Sequence, residues 1–207
     1  MKPLEIESLS FSIIDREAGK HDFPAEQWNI VQRMIHTSAD FEYMKTICFH
    51  PKAISNGIKA IRSGKPIITD TEMAKSGIRK TETAHFKIPV SCLIGNEDVK
   101  QYAKKHGTTR AFAAVDLAAD IMEGGIYVVG NAPTALLRLI ELVKEKKANP
   151  ALIIGLPVGF VNAAESKAEL TALDYPYISN TGRKGGSNIA ASVVNALLIM
   201  AFKNTII

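Results

Sequence analysis

The sequence predicts a three-layer α/β/α fold with a mostly parallel central sheet. Two observations carry this reading. Five short β-branched runs end in glycine or a polar turn, and helical patterns lie between them. Strand alternating with helix calls for a parallel sheet covered on both faces. The 207 residues can bury one sizeable core, so a single domain spanning 1–207 is expected.

The elements follow in order. AspPheProAlaGlu opens a helix over 24–37, with an aspartate as N-cap and an early proline. A second helical pattern covers 51–63. ProIleIleThrAsp (66–70) and ValSerCysLeuIleGly (90–95) are strands, and 110–122 is helical. IleTyrValValGly (126–130) leads into a helix over 132–147 with proline in its first turn. LeuIleIleGly (152–155), a helix over 162–173 and TyrProTyrIleSer (175–179) complete the alternation. The apolar stretch Ile189 to Phe202, interrupted by Asn195, is too short to cross a bilayer. It is expected to be a fully buried helix, with room left for a subunit interface.

Composition narrows the classes. Hydrophobic residues make up 46% and charged residues 22%, ordinary proportions for a compact chain. The net charge of +4 comes partly from lysine runs at 100–105 and 144–147, read as solvated helix faces. Neither run interleaves aromatics, so nucleic-acid binding has little support, while a small polyanion suits the charge. Cys48 and Cys92 lie in apolar stretches without metal or disulfide spacing and are expected to be buried free thiols. The first residues lack the apolar region of a signal peptide, no run reaches membrane-span length, and residence in the cytoplasm is expected. There is no internal repeat and no flexible linker.

Four segments could carry chemistry. In Gln32–Asp40, Arg33 and His36 are three residues apart and share a helix face. An imidazole can give and take a proton at cellular pH, and a neighbouring cation can hold a carboxylate. On spacing alone a plainer reading stays open, a histidine set against the helix dipole. His21, His50, His85 and His106 show no ligand spacing, so no metal held by the protein is expected. Gly130–Leu136 is a strand-to-helix turn whose unpaired backbone N–H groups make an anion site or simply a tight turn. Gly155–Val161 follows the next strand similarly. Asn180–Asn188 resembles a carboxylate cradle, with Arg183 and Lys184 for charge and Ser187 as a cap, or a solvated basic turn. Asp70 and Glu72 end a strand, where acids either cap the next helix or meet a ligand.

Taken together, these segments resemble the precorrin-8X methylmutase family over about Ser10 to Phe202. The blocks are SerPheSerIleIle (10–14), ArgMetIleHis (33–36), AspThrGluMet (70–73), GlyAsnAlaProThrAlaLeu (130–136), residues 155–167 and GlyArgLysGlyGlySer (182–187). The resemblance implies an isomerase that moves a methyl group from C-11 to C-12 of a corrinoid by a 1,5-sigmatropic shift, consuming no redox cofactor. His36 matches the family's catalytic histidine, and Ser10 and Arg33 match substrate-contacting positions. Asn131, Thr134, Arg183 and Ser187, in the glycine-rich blocks that look like the walls and rim of the site, and Asp70 are the further substrate-binding candidates. A homodimer is also implied. After the histidine the chain reads ThrSerAlaAsp, which looks like the cobalt-using branch, so the metal would arrive inside the substrate. Two other readings remain: a non-catalytic corrinoid carrier, and a nucleotide-dependent oxidoreductase, for which the dinucleotide fingerprint is missing.

Overall fold

The computed structural model describes residues 3–203, with side chains from Glu5. Its centre is a six-stranded sheet of β1 (Ile47–Phe49), β2 (Ile67–Thr69), β3 (Val90–Cys92), β4 (Ile126–Val129), β5 (Leu152–Gly155) and β6 (Tyr177–Asn180). The order is β1-β6-β5-β4-β2-β3, parallel except for β1, which runs antiparallel to β6. From β2 the chain steps outward to β3, then returns across β2 to β4 and proceeds the other way. Strand order therefore reverses between β2 and β4.

Alternation along the strands separates two helical layers. Ile67, Ile126, Val128, Leu152, Ile154 and Ile178 face α2 (Ala25–Ser38), α4 (Ala53–Arg62) and α11 (Ser187–Lys203). Ile68, Tyr127, Val129 and Ile153 face α8 (Arg110–Ala118), α9 (Pro133–Lys144) and α10 (Ala163–Thr171). Each strand thus buries successive side chains on opposite faces, as its continuous apolar sequence requires.

The expected buried C-terminal helix is α11. It packs against α2, α4, α5 (Glu72–Gly77) and the sheet, so its burial is accounted for within the chain. Asn195, its polar interruption, donates through Nδ2 to Gly77 O and accepts the Arg79 N–H through Oδ1, both at 2.9 Å. That pair fastens the junction between α5 and α6 (Lys80–His85).

Several elements differ from expectation. The cap of α2 is Pro24, with φ −55° and ψ 150° and no side-chain hydrogen bond, rather than an aspartate. The three-residue edge strand β1 and the helices α1 (Pro3–Ala18), α3 (Tyr43–Thr46) and α6 have no counterpart in the expected elements, while α5 and α7 (Glu97–His106) are the helices that the readings of Asp70–Glu72 and of the 100–105 lysines only implied. In α7 only Val99 and Ala103 are buried, one turn apart, and the 100–105 lysines are spread over its solvated side.

Gly130 closes β4 against the start of α11. A Cβ there would lie 2.7 Å from Ser187 Cα and 3.1 Å from Ser187 N, backbone atoms that cannot swing aside. Gly130→Ala is expected to destabilise by about 1–3 kcal/mol through overpacking. Thermal unfolding should show a melting temperature lowered by roughly 2–12 °C for a chain of this size.

Candidate active site

His36 lies in the last turn of α2, which ends when Ala39 turns left-handed (φ 53°) and donates its N–H to Ile35 O at 2.7 Å. That turn swings Phe41 back beside the helix end. A cavity of about 400 Å³ opens between α1, the end of α2 and this segment. Ile6, Leu9, Ser10, Ile13 and Ile14 line it from α1, and Ile35, His36, Ala39 and Phe41 from the other side, with Glu17 as its carboxylate. Positions 6, 9, 10, 13 and 14 follow a helical period, a signal by which α1 could have been read.

The imidazole is held from two directions. Ser10 Oγ is 2.8 Å from His36 Nδ1, and the Phe11 ring meets the imidazole edge-on at 5.1 Å. Nε2 has no hydrogen-bond partner among the described residues, and the side chain is exposed. One nitrogen is thus oriented by the protein while the other is open to a ligand. This is the arrangement a proton-transferring histidine needs.

Arg33 shares the seam between α1 and α2 but does not line this cavity. It pairs with Glu7 at 3.0 Å, its guanidinium lies 5.2 Å from the Phe11 ring centre, and its side chain is 15% exposed. Its charge is directed at α1.

The remaining candidates lie at the carboxyl ends of the strands, around the point where strand order reverses and ligands of open α/β sheets usually bind. Asp70, just beyond β2, is buried. Its Oδ1 accepts from Gly130 N at 2.8 Å, and its Oδ2 accepts from Asn131 N at 2.9 Å and Ala132 N at 2.8 Å. The anion position expected at the head of α9 is therefore filled by the protein's own carboxylate. Burial pushes the Asp70 carboxyl up from the usual carboxylate range, and the three N–H donors oppose that push. Thr71, not an acid, caps α5 by accepting from Ala74 N, and its hydroxyl also meets Ser187 Oγ at 2.8 Å. Thr134 Oγ1 lies 3.2 Å from Thr109 Oγ1, and the side chain of Asn131 is exposed.

In the glycine-rich loop after β6, Arg183 is exposed and lies over the Phe160 ring at 5.5 Å. Lys184 reaches the other way, to Asp40 Oδ2 and Glu42 Oε2 at 2.6 Å each. Hydrogen bonds to both carboxylates raise its ammonium above the ordinary lysine range and, in turn, hold the Asp40 carboxyl below its usual value. This double pair brings the 181–186 loop against the segment that follows His36. The loop is thus fastened to the segment after the histidine, whereas Asp70, Asn131, Thr134 and Ser187 gather around β2, β4 and the head of α11. No group of three histidine, cysteine or acidic side chains suited to a metal ion occurs among the described residues.

Residues 5–200 match the profile of the precorrin-8X methylmutase family. The chain belongs to that family. It is similar to the cobalt-precorrin-8 methylmutase of Priestia megaterium, 49% identical over 97% of this chain and 89% of the relative. It is similar also to that of Leptospira interrogans, 44% identical over 96% and 94%. Among solved structures, a precorrin-8x methyl mutase from Thermus thermophilus superposes with a TM-score of 0.90 at 41% identity, covering 97% of both chains. As a methylmutase the chain is an isomerase of cobalamin biosynthesis, and the carrier reading is not favoured.

Within this methylmutase the Asp70 carboxylate is answered by backbone donors that no other group satisfies. Asp70→Asn would turn a carboxamide N–H₂ toward one or more of them. A loss of about 2–4 kcal/mol is expected, the range for breaking buried hydrogen bonds to a charged group. Urea unfolding checks this, through a lowered midpoint at unchanged slope.

Proposed function

We propose that the chain converts cobalt-precorrin-8 to cobyrinate by moving a methyl group from C-11 to C-12, with His36 as the acid/base. The observation that carries this is the His36 ring itself, held at Nδ1 by Ser10 and open at Nε2 beside a largely apolar cavity. Proton donation from His36 to the conjugated macrocycle localises electron demand at the acceptor carbon and eases the migration. Return of that proton to His36 restores the enzyme. Migrating group and acceptor belong to one molecule, so no second reactant is brought in and no electrons are gained or lost. The reading therefore calls for no cofactor of the protein's own, and cobalt enters and leaves within the substrate.

The apolar walls strengthen whatever electrostatic stabilisation the cavity supplies, because water is displaced from around the developing charge. At about 400 Å³ the cavity takes the reacting part of a large macrocycle, leaving its carboxylates toward the rim. Arg183 and Asn131, on the loops after β6 and β4, are exposed and available to carboxylates that extend beyond the cavity. Preference for the cobalt-containing substrate is supported by ThrSerAlaAsp after His36 and by the names of the two bacterial relatives.

A homodimer belongs to the same reading. Ile6 and Leu9 are 55% and 48% exposed on the α1 face beside the cavity, and a second copy laid over them would bury that apolar surface and close the site. Residence in the cytoplasm is part of it too, supported by two cysteines that are free thiols. No described helix is long and apolar enough to cross a membrane.

The test is an absorbance time course with cobalt-precorrin-8 and, separately, precorrin-8. Wild-type protein is expected to produce the corrin spectrum, faster from the cobalt substrate. His36→Ala is expected to lose roughly 100- to 10,000-fold in kcat, the usual contribution of one acid/base, while its substrate affinity stays within about threefold. Ser10→Ala, which frees the ring but keeps it, should lose about tenfold. Turnover at the wild-type rate by His36→Ala would reject the histidine. Tight binding without conversion of either substrate would reject the isomerase and leave a carrier.

A further inference from the structure

The same block that supplies the 155–161 loop ends in Lys167, a lysine inside the protein. It is 1% exposed, and no carboxylate is among its hydrogen-bond partners. Its Nζ donates to Asn180 Oδ1 at 3.1 Å and to the backbone carbonyl of Lys184 at 2.6 Å. Burial pushes its amine down to about 8, with the nearby Cys48 opposing slightly. An unpaired ammonium in the interior is costly. A methionine of similar length would fill the space without that cost, so packing does not call for an ammonium here.

What the ammonium holds is the loop between β6 and α11. The Lys184 carbonyl takes a second donor, Asn180 Nδ2 at 3.0 Å, so this one peptide is gripped from inside by two side chains. The Lys184 side chain is fastened outward to Asp40 and Glu42. Arg183 O accepts Gly159 N at 3.2 Å, and Gly186 N donates to Leu156 O at 2.9 Å, tying the loop to the one after β5. Gly185 is pressed onto Leu156 O and Pro157 O so closely that a Cβ would not fit. With Lys184 engaged and the backbone fixed, the cation left to meet a ligand is Arg183, which makes no ion pair among the described residues and lies over the exposed Phe160.

We propose that Lys167 is a positioning residue for substrate binding: from inside the protein it holds the 181–186 loop in the course that presents Arg183, beside Phe160, to a carboxylate of the substrate. This rests on the reading of a corrinoid polycarboxylate as substrate. Lys167 itself touches no reacting atom. Its effect passes through the Lys184 peptide to the neighbouring guanidinium, and so belongs to binding rather than to the chemical step.

The experiment compares full-length wild type with Lys167→Met, Asn180→Ala, Arg183→Ala and the double variant Lys167→Met/Arg183→Ala, using cobalt-precorrin-8. Lys167→Met is expected to melt within about 4 °C of wild type, a change of one or two kcal/mol at most in a chain of this size. Its KM should rise about tenfold with kcat within about threefold, the signature of lost uniform binding. Amide exchange should quicken over 181–186 and stay unchanged in β4 and β5. Asn180→Ala should behave alike, and the double variant should be no worse than Arg183→Ala, since both changes disable one contact. A folded Lys167→Met with unchanged KM or unchanged loop exchange overturns the proposal. So do additive effects in the double variant, or insolubility of both Lys167→Met and Asn180→Ala, which would make the pair a folding requirement. If wild type converts no substrate, the proposed function fails instead, and loop exchange in Lys167→Met still decides whether Lys167 holds the loop.

Discussion

The constraint on which the architecture depends is the two-sided burial of β2, β4 and β5. Every residue of these strands is buried, and alternate side chains enter two separate cores. A parallel sheet of this kind exists only with a helical layer on each face. One layer is centred on α11, the last element in sequence and the most apolar. Because α11 must lie across the sheet, the chain has to leave β6, turn and dive back, and the 181–186 loop is that turn. Because α2 then packs on α11, its last turn is carried toward the same loop. The segment after His36 and the 181–186 loop thus meet, through Lys184 with Asp40 and Glu42, by the need to cover the sheet.

Charge in this region is largely spent internally, which shapes what the site can do. Asp70 is absorbed by three backbone donors, Arg33 by Glu7, and Lys184 by Asp40 and Glu42. These pairings make walls stiff without presenting charge to a ligand. What the described residues leave open is sparse: one imidazole nitrogen and the Glu17 carboxylate at the cavity, and the Arg183 guanidinium and Asn131 amide on the loops after β6 and β4. A site so provisioned selects by shape and by a few peripheral anion contacts. It does not pull hard on electrons.

The layering was legible in the sequence because continuous apolar strands and amphipathic helices have distinct periods. Strands at 67–69, 126–129 and 152–155, with α8 and α9 between them, follow from that alone. Elements with little to bury were not legible. β1 has three half-buried residues and α5 and α6 have six each, too short for a period to register. Among the candidate residues, His36 and Ser10 meet across the seam of α1 and α2, a contact 26 residues apart in the chain. Asp70 illustrates the opposite case. Its type and place suggested a cap or a ligand contact nearby, yet it reaches 60 residues along the chain to satisfy the head of α9. Lys167 gave no local signal either, since its partners, Asn180 and the Lys184 carbonyl, are supplied by another segment. Long-range polar pairings have no sequence period, and a single chain does not display them.

In the proposed mechanism one acid/base, His36, suffices because of what an internal methyl shift demands. In a bimolecular reaction much of the barrier is the entropy of bringing two partners together, and enzymes supply it by positioning. In this substrate the methyl group and the carbon that receives it are held together already. The remaining demand is to select one protonation pattern of a delocalised ring and to keep it there while the bond migrates. A histidine oriented by a serine on one side and open on the other meets the first part. In that reading the largely apolar cavity meets the second, because a macrocycle held against its walls offers the same atom to Nε2 throughout.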